Sequence, residues 1–168
     1  MSWTNSELVL YHGTVDIHEK SILAKIDLKH VALRSGSDFG KGFYTTTKLN
    51  QARTWAATLV KKPRYTGSGP AVIFFRVDRD ALSGLDALWF VRGSPGVDDY
   101  WSLIRHFRTP PFGSDHGRSR ANAWYDVGAG PVWHDWKFKQ IVADSDQVSF
   151  HTQAAASRLD RSAKGRLP

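Results

Sequence analysis

Apolar positions along the chain form short runs and helical stripes that predict a mixed domain of strands and helices. Residues 71–77 read Ala-Val-Ile-Phe-Phe-Arg-Val, a nearly continuous apolar run that is typical of a strand covered on both faces. Residues 48–61 predict a helix, because their apolar residues recur every three or four positions along one face. These residues are Leu49, Ala52, Trp55, Ala56 and Leu59.

Weaker patterns predict the remaining elements. Strands are expected over 8–12, 85–91, 124–127 and 148–152, and a glycine turn over 38–42 should lead into a further strand from Phe43. Helices are expected over 16–25, with Asp16 as N-cap, and over 98–107. Residues 26–33 are expected to be irregular or short extended structure, 93–96 a turn, and 63–70 and 109–119 loops, while 136–144 fits either a strand or a helix. Strands and helices alternate irregularly, which predicts an α+β fold rather than a doubly wound sheet.

Composition suggests one cytoplasmic domain with a basic tail. The 168 residues are enough for one core, and we place the domain at 1–152. Residues 153–168 carry +3 of the net charge of +7, and we expect them to be a frayed helix or disordered. No apolar run approaches the roughly 20 residues of a membrane helix, and no leader pattern begins the chain, so we expect no membrane partner. The absence of cysteine excludes thiolate metal ligands, and no histidine pair has zinc spacing, so we predict no metal site.

Four separated positions form a candidate binding site for a flat aromatic ligand. His12 ends the first predicted strand, and Tyr44 follows the run Asp38-Phe39-Gly40-Lys41-Gly42, whose glycines permit a sharp turn or a close approach. Trp55 lies eleven residues after Tyr44, so two aromatic planes could enclose a ring between them. Asp146 and Gln147 open a late strand and could add a polar group. Each position alone is more often structural, and the prediction depends on their combination.

These residues resemble a known enzyme family. Tyr11-His12-Gly13-Thr14 is similar to the first motif of ADP-ribosyltransferases of the histidine–tyrosine–glutamate class, which includes diphtheria toxin and the poly(ADP-ribose) polymerases. Phe39-Gly40-Lys41-Gly42-Phe43-Tyr44 is similar to their second motif, and residues 50–56 correspond to a helix that carries a second aromatic. The resemblance covers residues 8–152 and looks closest to small bacterial ADP-ribosyltransferase-like domains of poorly defined function.

The resemblance implies a fold and a set of NAD contacts. Two packed, mainly antiparallel sheets with flanking helices would form an NAD cleft. His12 would bind a ribose hydroxyl, Gly13 would bind the nicotinamide carboxamide through its backbone, and Tyr44 and Trp55 would stack on the nicotinamide ring. Thr14 and Gly42, which belong to the two motifs, complete the expected contact set.

The catalytic glutamate of the family falls at Gln147, and here the sequence departs from the pattern. A neutral amide keeps the hydrogen bond of the acid but loses the charge that stabilises a cationic transition state. Asp146 could supply a carboxylate, although strand alternation should point it to the opposite face.

The resemblance therefore implies an NAD-dependent mono-ADP-ribosyltransferase with His12, Tyr44 and Gln147 as catalytic residues. It would be a bacterial toxin or effector domain, cytoplasmic or delivered into a target cytoplasm, acting on a protein or nucleic acid and paired with an antitoxin or immunity protein. Three alternatives stay open: a non-catalytic NAD or ADP-ribose binding module, an NAD glycohydrolase, and a nucleic-acid-binding protein that uses the basic tail and exposed aromatic residues.

Overall fold

The computed structural model describes residues 5–29, 37–91, 97–135 and 138–167. Its strands are β1 (Leu8–Val15), β2 (Phe43–Thr45), β3 (Pro70–Val77), β4 (Ala87–Trp89), β5 (Val127–Asp135), β6 (Gln140–Phe150) and β7 (Ala163–Leu167). Its helices are α1 (Asp16–Ala24), α2 (Leu49–Leu59), α3 (Arg79–Ser83), α4 (Val97–Arg108) and α5 (Gln153–Asp160), with a 3-10 turn over Pro63–Tyr65.

The strands form two sheets. The first has the order β1-β3-β7 and is antiparallel throughout, so the run over 71–77 is the central strand that its apolar sequence predicts. The second has the order β2-β6-β5-β4 and is antiparallel except where β4 pairs with β5. The prediction of an α+β fold with two mainly antiparallel sheets is confirmed.

The main core lies between the two sheets. Alternate positions of strands in both sheets contribute buried side chains to it: Leu10, Ile73, Phe75, Phe43, Val148 and Phe150. Since side chains alternate across a strand, Tyr44, Gln147 and Ser149 lie on the opposite face of the second sheet. A second cluster, which includes Phe39 and residues of α4, packs against Tyr44 on that face.

Several predicted boundaries differ from the structure. The strand expected over 124–127 begins only at Val127 and continues through Gly128 and Gly130 to Asp135. Close packing explains the two glycines inside β5. A Cβ on Gly128 or Gly130 would lie only 3.1–3.3 Å from atoms of His151, Ser149, Phe39 or Phe90. The segments expected over 136–144 and 148–152 are largely one strand, β6. The turn expected over 93–96, positions 30–33 of the irregular or extended segment expected over 26–33, and positions 136 and 137 of the segment expected over 136–144 lie outside the described residues.

Asp16 is not the N-cap of α1. Val15 occupies that position, and Asp16 is the first helical residue. The Asp16 carboxylate accepts the backbone N–H groups of Ile17 at 2.8 Å and Gly69 at 2.9 Å. Asp16 therefore also ties the helix to the segment before β3.

The prediction of a frayed or disordered tail is wrong for residues 153–167. Helix α5 buries Ala155, Ala156 and Leu159 completely in the core, and β7 pairs with β3 over five residues. Lys164 is paired with Asp160 and Arg166 with Glu19, each at 2.9 Å. The basic composition thus concealed an apolar helix face, and two of the four tail cations have acidic partners.

Candidate functional site

The first two motifs meet where the two sheets join. Tyr11 and Thr46 exchange two backbone hydrogen bonds, with N···O distances of 2.8 and 2.9 Å, and form an isolated bridge between β1 and the segment after β2. This bridge brings His12 of the first sheet beside Tyr44 of the second. The predicted association of the two motifs is therefore present in the structure.

The hydrogen bond of His12 fixes the state of its ring. Its Nδ1 lies 2.6 Å from the backbone carbonyl oxygen of Tyr44, and its ring stacks on Phe43 with 4.3 Å between centroids. A carbonyl can only accept, so Nδ1 carries the proton and Nε2 is an acceptor in the neutral ring. Burial lowers the pKa of His12 to about 4, against the opposing effect of the Tyr44 hydrogen bond. His12 is therefore neutral near pH 7, and its Nε2 can accept a hydrogen bond from a hydroxyl group.

The backbone of Gly13 points to the same edge. Tyr11 directs its N–H and C=O away from β3 towards Thr46, so alternation directs the N–H and C=O of Gly13 to that side as well. A Cβ on Gly13 would lie 2.2 Å from the carbonyl oxygen of Ala52 in α2, which explains glycine at this position. Thr14, the next residue, is 4% exposed. Gly13 thus offers a donor and an acceptor on the edge of β1 that faces β2.

Tyr44 is held by the glycine turn. Its hydroxyl donates to the carbonyl oxygen of Gly40 at 2.7 Å and accepts the N–H of Phe39 at 3.0 Å. Burial, together with the negative charge of Asp38, raises the pKa of this hydroxyl well above its usual value. Tyr44 therefore stays protonated, and its hydroxyl braces the turn while the ring forms part of the site.

The two glycines of the turn are close to other parts of the protein. Gly40 has φ +82°, and a Cβ there would lie 2.5 Å from the ring of Phe107. A Cβ on Gly42 would lie 2.7 Å from Nδ1 of His151. Packing within the chain accounts for both glycines, and the expected contact between Gly42 and NAD stays a prediction.

Gln147 lies on the Tyr44 face of the second sheet and contacts a buried acid. Its Nε2 donates to Oδ2 of Asp38 at 2.6 Å and to the backbone oxygen of Pro131 at 2.9 Å. Asp38 also forms an ion pair with Arg108, whose guanidinium lies 4.5 Å from the Trp133 ring centroid. The predicted third position is therefore part of a triad, Arg108–Asp38–Gln147, in which Asp38 and Gln147 are buried and Arg108 is partly exposed.

Asp146 occupies the other face, as strand alternation predicts. Its carboxylate accepts from the Thr46 hydroxyl at 2.7 Å, from the backbone N–H of Thr47 at 2.8 Å, and from the Thr47 hydroxyl. Gln51 of α2 binds the backbone of the same residue through both amide atoms. Asp146 thus anchors the start of α2 to β6 and does not substitute for an acid at Gln147.

Trp55 is not brought against Tyr44. The side chain is 51% exposed on α2, with Nζ of Lys62 5.4 Å from its ring centroid. It lines an open groove of about 880 Å³ with Lys48, Thr54, Val142 and Asp144, among others. No ring contact joins Trp55 to Tyr44 in the part of the chain that the structure describes. The expected aromatic sandwich is not formed in this arrangement.

Sequence reasoning missed a second polar cluster beside the turn. His151 donates through Nδ1 to the carbonyl oxygen of Lys41 at 2.7 Å, and its Nε2 lies 2.8 Å from the Ser149 hydroxyl. Its ring stacks on Trp124, 5.4 Å between centroids, and meets the His116 ring edge-on at 4.6 Å. Burial lowers the pKa of His151 to about 3. This cluster fixes the outer side of the turn with neutral rings.

Asp38 and Arg108 were also missed. Asp38 directly precedes the glycine turn, so its place beside the site was readable from the sequence. Arg108 lies 70 residues further along the chain, and no local pattern links the two. Only the packing of α4 across the second sheet brings the guanidinium to that carboxylate.

Within the described residues, no group of three or more histidine or acidic side chains has the geometry to hold a metal ion. No helix over the same ranges has the length and apolar character to cross a membrane.

A family model described as "Protein of unknown function (DUF3990)" matches residues 8–143. No curated protein and no solved structure matches the chain.

Proposed function

Because the chain belongs to the DUF3990 family, whose function is unknown, we propose from its site that it is an NAD-dependent mono-ADP-ribosyltransferase. It would break the bond between nicotinamide and ribose and transfer ADP-ribose to a protein or nucleic-acid acceptor. The two-sheet architecture is compatible with an ADP-ribosyltransferase-like fold whose NAD cleft opens where β1 and β2 meet.

The hydrogen bond between His12 Nδ1 and the Tyr44 carbonyl carries the proposal. It joins two motifs 32 residues apart in the chain and leaves Nε2 of a neutral ring as an acceptor. Beside it, Gly13 offers the N–H and C=O pair that a carboxamide needs. One ribose hydroxyl and one carboxamide could therefore be bound by adjacent residues of β1.

The residues of the site divide the work between binding and charge stabilisation. His12 and Gly13 bind and orient the substrate, and the Tyr44 ring offers a flat wall for the nicotinamide. As the glycosidic bond breaks, its electron pair leaves with nicotinamide, and positive charge develops on the ribose. The acceptor then bonds to the anomeric carbon and loses a proton. Gln147 presents an amide oxygen, which stabilises that positive charge less than a carboxylate does.

The neutral side chain at Gln147 favours a second candidate, a module that binds NAD or ADP-ribose without turning it over. A glycohydrolase would differ from the transferase only in using water as the acceptor. The acceptor, a bacterial toxin or effector role, an antitoxin or immunity partner and a cytoplasmic site of action belong to the proposal as expectations of the resemblance.

Incubation of the protein with NAD labelled in the adenylate half, with and without cell lysate, tests the proposal. A transferase releases nicotinamide and labels a macromolecule, whereas a glycohydrolase releases nicotinamide and free ADP-ribose. Calorimetric binding of NAD without nicotinamide release would select the binding module. Absence of both binding and release would contradict all three functions.

A further inference from the structure

Asp38 is a buried carboxylate at the base of the candidate site. Its side chain is 5% exposed. Its Oδ1 accepts hydrogen bonds from Nε of Arg108 at 3.1 Å and from a second guanidinium nitrogen of the same residue. The other oxygen, Oδ2, accepts a hydrogen bond from the amide nitrogen of Gln147 at 2.6 Å. The carboxylate therefore lies between a cation on one side and Gln147 on the other.

The partners of Gln147 fix the orientation of its amide. The Asp38 carboxylate and the Pro131 carbonyl are both acceptors, so the NH₂ group must face them and both of its hydrogens are used. The amide oxygen Oε1 is the remaining polar atom, and it is an acceptor. An amide held this way offers a substrate hydroxyl an oxygen and never an N–H.

We propose that Asp38 is a positioning residue that acts through Gln147, so that the two side chains together replace the single acid of the third motif. Asp38 would orient Oε1 towards the substrate and place a negative charge directly behind the amide. This inference rests on the proposed NAD-cleaving function.

The charge of Asp38 reaches Gln147 because of how the ion pair is arranged. Arg108 lies on the far side of the carboxylate, and its side chain is 25% exposed, so solvent screens the cation more than it screens Asp38. The pair therefore forms a dipole with its negative end towards Gln147. The amide N–H of Gln147 donates a charge-assisted hydrogen bond to the Asp38 carboxylate. This bond polarises the amide and increases the electron density on Oε1.

The same geometry would explain why this chain has glutamine where the ADP-ribosyltransferase family that it resembles has glutamate. A glutamate at position 147 would place a second carboxylate oxygen where the amide nitrogen now lies, 2.6 Å from Oδ2 of Asp38. Two carboxylates at that distance share one proton, and the pKa of one of them rises strongly. Gln147→Glu alone would therefore not restore the family's acid, whereas Asp38→Asn with Gln147→Glu would move the charge from one position to the other.

The test measures kcat and KM for nicotinamide release by the full chain, with Asp38→Asn, Gln147→Glu and the double variant. Asp160→Asn is the matched control, because Asp160 is also a carboxylate paired with a cation and only 17% exposed, but it lies in α5. We expect Asp38→Asn to lower kcat by about tenfold or more with little change in KM, since the charge acts on the transition state. The double variant should recover kcat to within about fivefold of wild type, and Asp160→Asn should leave it unchanged.

The pH profile separates positioning from structural support. Gln147→Glu should gain an ionisation in kcat well above the ordinary glutamate pKa of about 4.3, and adding Asp38→Asn should remove it. If Asp38→Asn does not fold in a thermal melt, the comparison of the Gln147→Glu profile with the wild-type profile decides.

Two results would overturn the inference while leaving the proposed function intact: an Asp38→Asn enzyme with wild-type kcat, or a Gln147→Glu profile identical to that of the double variant. A wild-type protein that releases no nicotinamide overturns both the inference and the proposed enzyme.

Discussion

A fall in pH should destabilise the protein through His151, which is hydrogen-bonded to the Lys41 carbonyl oxygen of the glycine turn. The residue is 8% exposed, and burial lowers its pKa to about 3, well below the ordinary histidine value of about 6.5. In acid the unfolded chain binds a proton at this position and the folded chain does not. The contribution of His151 to stability is therefore complete above the unfolded pKa and declines as the pH falls from about 7 towards 3.

The magnitude follows from the two pKa values. At pH 5 the unfolded histidine is almost fully protonated and the folded one is almost fully neutral, so His151 alone should lower the free energy of unfolding by about 2 kcal/mol between pH 7 and pH 5. His12, whose pKa burial lowers to about 4, adds about as much, and His116, whose pKa burial also lowers, adds a loss of the same sign. The wild-type loss should therefore be about 4 kcal/mol or more, of which His151 contributes about half.

Urea unfolding at pH 7 and pH 5 measures the effect. His151→Gln, which cannot titrate, should lose about 2 kcal/mol less than wild type over this interval. His134→Gln, at an exposed position in β5, is the matched control and should behave as wild type does. An equal loss in wild type and His151→Gln would refute the reasoning that this ring is kept neutral by burial.

Two further predictions concern the packing around the site and the last two elements. Gly13→Ala should destabilise the protein by about 1–3 kcal/mol or more in urea unfolding, because its Cβ would lie 2.2 Å from the Ala52 carbonyl oxygen. Gly84→Ala, where a Cβ meets nothing within 4 Å, should leave stability almost unchanged, and equal effects would contradict the packing. Leu159→Ala should cost about 2–5 kcal/mol, since Leu159 is fully buried, while the exposed Arg161→Ala should cost little. A neutral Leu159→Ala would mean that α5 does not pack in the core.

Local patterns predicted the parts of the site that lie close together in the sequence. The glycine turn, β2 and Tyr44 form one continuous run. His12 lies in the strand that the apolar run over 8–12 predicted, although β1 extends beyond His12 to Val15. The central position of β3 was predictable for the same reason, since its apolar run is covered on both faces.

Long-range packing determined the parts that were missed. Asp38 and Gln147 are 109 residues apart, and their hydrogen bond forms only because β6, which carries Gln147, pairs with β2, the strand that follows the glycine turn. The charged residues of 153–167 hid the three buried residues of α5, because composition averages over both faces of a helix. Trp55 shows the opposite case, in which correct spacing did not place a side chain against its expected partner.

The central claim is that His12 and its neighbours bind NAD for cleavage, and His12→Ala tests it most directly. Nicotinamide release and calorimetric NAD binding should be compared for wild type, His12→Ala and the exposed control His134→Ala, each confirmed as folded by thermal melting. The account predicts that His12→Ala weakens NAD binding by about tenfold, the value of one hydrogen bond, and lowers kcat/KM at least as much. The variant should also melt below the control, because the Tyr44 carbonyl loses its hydrogen-bond partner. Equal NAD binding and equal nicotinamide release in wild type and His12→Ala would contradict it.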